Sequence, residues 1–79
     1  MDRKESAEVL NLYLDNWAYT GRNVKMREDF VNRISGTVEA GEWTREDLPL
    51  LKKAEETLKS GKYENQANAV NEKIGKVEV

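Results

Sequence analysis

The chain has 79 residues, enough for one domain built around a single thin core. Hydrophobic residues make up 38% and charged residues 35%, which fits neither a membrane segment nor a collapsed apolar chain. Thirteen basic and fifteen acidic side chains give a net charge of −2, spread evenly: six against seven in residues 1–40, seven against eight in residues 41–79. Neither half is a polyanion or a basic arm for nucleic acid.

There is no cysteine and no histidine. The first absence removes disulfides, thiolate nucleophiles and Cys-ligated zinc. The second removes the usual general base, the pH switch near neutrality and His-ligated metals. No Asp-x-Asp-x-Asp-Gly loop for calcium, no Gly-x-x-x-x-Gly-Lys loop for phosphate and no Gly-x-Ser-x-Gly elbow occurs. The acid pairs Glu28-Asp29, Glu46-Asp47 and Glu55-Glu56 are sequence neighbours. On a helix they point about 100° apart and do not converge on one substrate. The expectation is a protein without catalytic activity and without cofactor or metal. No apolar run follows Met1-Asp2-Arg3-Lys4-Glu5, and nothing approaches the roughly 20 apolar residues of a membrane span. A soluble, cytoplasmic protein is therefore expected.

Hydrophobic spacing predicts helix throughout. The first helix is expected from about Asp2 to Tyr19, with Ser6, Val9, Leu10, Tyr13, Leu14 and Trp17 on one face and Leu12 well off it. Gly21 breaks it, and Asn23 is the expected N-cap of the second helix. That helix carries Val24, Arg27, Phe30, Val31, Ile34 and Val38 as its stripe. The stripe stays in phase across Gly36, so one helix is expected to about Ala40, closed by Gly41. The competing reading stops it at Ser35.

Thr44 and Asp47 resemble a capping box, but Pro49 would then lie too deep in the helix. Asp47 as N-cap places Pro49 in the first turn instead. Leu51, Ala54 and Leu58 then face inward, flanked by Leu48 and Leu50, and Ser60-Gly61 ends the helix. The last helix is expected from about Tyr63 to Ile74, with Tyr63, Ala67, Val70 and Ile74 as a narrow stripe and Gly75 as terminator. The fold class is all-α, a small bundle of three to four short helices. Residues 1–75 form a single domain and residues 76–79 a flexible C-terminal tail.

With chemistry excluded, the surface carries the functional reading. Leu12, Tyr19, Met26 and Leu50 lie outside or at the rim of the stripes. Trp43 stands in a link, where it either plugs the end of the bundle or anchors a partner. Asn65, Gln66, Asn68 and Asn71 crowd seven positions of the last helix, although asparagine is a mediocre helix former. Leu12, Tyr19, Met26, Trp43, Leu50, Asn65, Asn68 and Asn71 are thus the candidate protein-binding residues. The expected function is a non-catalytic protein-interaction module that inhibits, adapts or regulates another protein; size and composition fit a small bacterial or phage regulator. The alternative is a helical nucleic-acid-binding regulator, for which folding would have to gather Lys52, Lys53, Lys59 and Lys62 into one patch. A third reading is a homo-oligomer whose interface completes the core.

Overall fold

The computed structural model describes residues 2–79, and every regular element among them is helical. Four α-helices run in alternating directions: α1 (Arg3–Asp15), α2 (Val24–Ala40), α3 (Leu48–Ser60) and α4 (Glu64–Glu78). Around the bundle the order is α1, α2, α4, α3, with α3 packed most extensively on α4. The larger aliphatic side chains of the first three helices fill the centre: Leu10, Ile34, Leu51 and Leu58 are fully buried, with Val31, Val38, Ala54, Ala67 and Val70 around them.

Asp2 starts α1 by accepting the Glu5 N–H at 2.8 Å. The helix ends at Asp15, four residues before the expected Tyr19, and Trp17–Thr20 tighten into a 3-10 turn. The cause is local. The Asn16 side-chain amide donates to the Leu12 carbonyl at 2.8 Å, and the Thr20 hydroxyl donates to the Trp17 carbonyl at 2.7 Å. Both bonds compete with the helical ladder. Gly21 then takes φ +52°, in the region that favours glycine.

Asn23 caps α2 as expected, accepting the Met26 N–H at 3.0 Å. The helix runs through Gly36 and closes at Gly41. Gly41 is needed for space rather than for a special backbone angle: a Cβ there would lie 2.8 Å from both the Ser6 hydroxyl and the Trp43 ring. Val24 departs from the expected stripe and is 62% exposed. It sits in the first turn of α2, and burial on that helix is complete only from Val31 onward.

The two readings of the α3 start coexist. Arg45–Asp47 form a 3-10 turn in which the Thr44 N–H donates to Asp47 Oδ2 at 3.0 Å, while Asp47 itself precedes α3 and Pro49 lies in its first turn. Gly61 does not carry the left-handed conformation at the end of α3. Lys62 does, with φ +67°. The Tyr63 N–H reaches back to the Leu58 carbonyl and the Lys62 N–H to the Lys59 carbonyl, both at 2.9 Å, the paired bonds of a Schellman ending. Gly61 instead lies beneath the rings of Tyr63 and Trp17, where a Cβ would meet them at 3.0 and 3.2 Å.

Gly75 does not terminate α4, and residues 76–78 are helical rather than tail. Ile74 and Val77 on either side pack on the core. On the α3 side, Lys52 approaches the Glu78 carboxylate at 3.9 Å and Arg45 donates to the Glu78 carbonyl at 3.4 Å. These tertiary contacts outweigh the glycine's helix penalty of about 1 kcal/mol.

Candidate functional site

The alternating helices give the bundle two distinct ends. One holds the α1–α2 corner (residues 16–23) and the α3–α4 corner (61–63); the Trp17 and Tyr63 rings join them edge to face at 6.4 Å. We call it the corner end. The other holds the α2–α3 link, the start of α1 and the end of α4, and Arg3 spans it. Its Nε donates to Asp47 Oδ2 at 3.0 Å and its Nη2 to Glu46 Oε2 at 3.0 Å. Asp47 is buried, and the bond to its carboxylate is the first cause that raises the Arg3 guanidinium above its ordinary pKa.

The candidate surface residues divide among three places. Leu12 and Tyr19 are 59% and 79% exposed, and Met26 is 42% exposed. All three belong to the last turn of α1, the following 3-10 turn and the first turn of α2, so they share the corner end. By helical phase, Leu12 points away from the bundle, nearly opposite the buried Leu10, and Met26 lies about 100° from Arg27. Tyr13 stacks edge to face on Phe30 at 5.5 Å and accepts a hydrogen bond from Arg33 at 3.2 Å, the first cause that raises the Arg33 guanidinium. The Arg27 guanidinium lies 5.2 Å from the centre of the Trp17 ring.

Trp43 and Leu50 are drawn elsewhere. Both are half-buried and pack against the core. The Trp43 indole N–H donates to the Val38 carbonyl at 2.8 Å, which fixes the ring over the link end. Neither is presented as a free apolar group. Asn65, Asn68 and Asn71 are exposed on α4, the helix diagonal to α1, and do not join the corner-end group. Gln66 turns away from them toward the α2–α4 seam, where it lines a shallow hollow with Glu28, Val31 and Tyr63. A second depression in that seam, of about 350 Å³, is floored by Val38 and Val70 and edged by Ser35, Ala69, Lys73 and Lys76. Among the described residues, no three acidic side chains converge to hold a metal ion, and no helix is long and apolar enough to cross a membrane.

Folding also sorts the charges that the linear sequence mixes. Residues 15–27 and 59–64 hold five basic and two acidic side chains; residues 2–3, 39–47 and 76–79 hold three basic and six acidic. The corner end is therefore basic and the link end acidic. The helix termini do not cause this, since two helices start and two finish at the corner end and their dipoles oppose.

Three of the four lysines that a nucleic-acid reading would gather have a carboxylate neighbour. Lys52 approaches Glu78 at 3.9 Å, Lys53 approaches Asp15 at 3.8 Å and Lys59 approaches Glu55 at 4.0 Å. Among the described residues, Arg22, Lys25 and Lys62 form no ion pair, and all three are exposed. These cations, with Val24, complete the corner end and are not among the candidate protein-binding residues read from sequence, which gave Lys62 to a nucleic-acid patch and Val24 to the core stripe. Their one linear signal is position: each lies within four residues of Gly21 or Gly61, the breaks that bring the corners together.

No family model, no curated protein and no solved structure matches this chain, so its surface chemistry is the ground for a functional reading.

Proposed function

We propose that this chain is a small non-catalytic protein-interaction module that docks its partner through the corner end, and so inhibits, adapts or regulates it. One observation carries the reading. Leu12, Tyr19, Val24 and Met26, all of the large apolar side chains exposed between residues 2 and 78, fall on that end within fifteen residues of sequence. Large apolar groups scattered singly over a surface are ordinary, whereas several at one end of so small a bundle suit a docking surface. Tyrosine and methionine suit the role, the first as a rigid amphipathic anchor and the second as an adaptable filler. A cytoplasmic setting agrees with a chain that contains no cysteine.

The test is affinity capture from the source cells, with and without nuclease, using the parent chain and a Tyr19→Ser, Met26→Ser variant. Both positions are exposed, so the variant should keep the parent's helicity and melting temperature. The expected result is one defined protein captured by the parent in both arms and lost by the variant. Equal capture by the variant removes the corner end from the interface. Capture abolished by nuclease favours the nucleic-acid reading instead.

A further inference from the structure

We propose that the partner held at the corner end is an acidic protein segment, one that places apolar side chains on Tyr19 and Met26 and carboxylates on Arg22, Lys25 and Lys62. The inference rests on the docking surface proposed above and adds the chemistry of what that surface selects.

Three observations carry it. Arg22, Lys25 and Lys62 are exposed and, among the described residues, without a carboxylate partner. They come from two different corners, the first two beside Gly21 and the third beside Gly61, and the Trp17–Tyr63 contact holds those corners together at 6.4 Å. The surplus is also not cancelled from within the molecule. The bundle is 36 Å long, against a screening length of about 8 Å at physiological salt, so the acidic link end is invisible from the corner end. Exposed apolar side chains sharing an end with a surplus of one charge suit a protein interface, in which charged groups select the partner by complementary charge.

The same facts argue against the other occupants. A nucleic acid gives affinity through the many phosphates a protein neutralises. Here three free cations stand beside Asp15, Glu28 and Glu64 on a chain of net charge −2. Tyr19 alone among the exposed apolar side chains there offers a plane for a base; Leu12, Val24 and Met26 offer none. A second copy joined two-fold through this end would set Arg22, Lys25 and Lys62 against themselves. A second copy joined end to end would find Glu46 and Asp47 held by Arg3 and Glu78 near Lys52, with Glu39 and Glu42 left unpaired among the described residues, and the mass in solution decides that case.

The experiment is a titration of the isotope-labelled chain, followed by its backbone amide resonances. The probes are a synthetic amphipathic peptide with leucine and phenylalanine on one face and glutamate elsewhere, the same peptide with lysine for every glutamate, and a single-stranded and a duplex oligonucleotide. The glutamate peptide should shift amides of residues 12–27 and 59–63, and it should bind about tenfold more weakly at 1 M than at 0.1 M salt, as the screening length falls from about 10 to 3 Å. An Arg22→Glu, Lys25→Glu variant should lose that binding about tenfold or more and bind the lysine peptide instead. Both positions are exposed, and glutamate at position 25, in the first turn of α2, is favourable to the helix, so the variant is expected to fold.

If the glutamate and lysine peptides shift the corner end equally, charge selection is overturned while the docking end stands. If no peptide shifts the corner end, or shifts appear only on α4 or in the α2–α4 seam, both readings are overturned. Tighter binding of an oligonucleotide at the corner end, or a mass above 9.1 kDa in light scattering with corner-end resonances broadened, overturns the acidic segment and gives the surface to nucleic acid or to a second copy.

Discussion

At Gly41 a single hydrogen decides whether two elements can touch. Any Cβ at that position lies 2.8 Å from the Ser6 hydroxyl and the Trp43 ring, both held by the surrounding fold. Gly41→Ala is expected to cost about 1–3 kcal/mol in urea unfolding, as overpacking does elsewhere. Gly36 has the opposite surroundings: it is exposed, lies inside α2, and a methyl group added there would meet nothing within 4 Å. Gly36→Ala should therefore stabilise by up to about 1 kcal/mol through helix propensity alone. Urea midpoints that move the same way for both variants would contradict this division. At Gly36 hydrophobic phase favoured a continuous helix, because the stripe from Val31 to Val38 crosses it without a shift, but a stop at Ser35 stayed open in sequence. The crowding at Gly41 was not readable, because Ser6 lies 35 positions away in sequence and Trp43 turns back over the link only after the helices pack.

At the scale of elements, stops are set by what packs beside them. Gly21 and Gly61 both follow helical segments, yet only Gly21 has a positive φ. At α3 the left-handed residue is Lys62, because the Tyr63 and Trp17 rings occupy the space above Gly61. A side chain in that conformation costs about 1 kcal/mol relative to glycine. Lys62→Gly is expected to raise stability by about that amount, measured by thermal melting well away from any partner. A fall in stability would mean that the Schellman ending at Lys62 is wrong. The same variant removes one of the three free cations at the corner end, so it should also weaken the glutamate peptide while strengthening the fold. Loss of binding with a gain in stability cannot come from unfolding. The α1 ending follows the same logic: Asn16 and Thr20 turn their side chains onto the backbone, and Trp17 is released to reach Phe30 and Tyr63.

Over the whole molecule, stability rests on one core of about a dozen small and medium side chains, so each matters. Ile34→Asp or Leu51→Asp would place a carboxylate where the parent residue has no exposure at all. A buried, unpaired charge costs several kcal/mol, comparable with the entire stability of a domain this small. Both variants are expected to lose native helicity by circular dichroism; if either keeps the parent melting curve, the assigned core is wrong. The Arg3 clamp also acts at this scale, because it ties the start of α1 to the link before α3. The folded state raises the pKa of Arg3, so the clamp's contribution is complete below the unfolded guanidinium pKa and fades only as pH climbs through the higher folded value. It is therefore fully formed at neutral pH.

Sequence alone determined the helical class, the inward stripes of Leu10, Ile34, Leu51, Ala67 and Val70 and the Asn23 cap. These follow from local periodicity and capping chemistry, which act within one turn of helix and are written in adjacent residues. Only the tertiary structure decided between the two readings at Gly36, and decided that α4 continues past Gly75, that Trp43 and Leu50 lie against the core, and that Arg22, Lys25 and Lys62 share an end with Tyr19 and Met26. Those outcomes depend on which helix lies beside which, and charge that alternates along the chain can still segregate in space once four helices reverse direction. The functional surface belongs to this second group because it is assembled from two corners about forty residues apart.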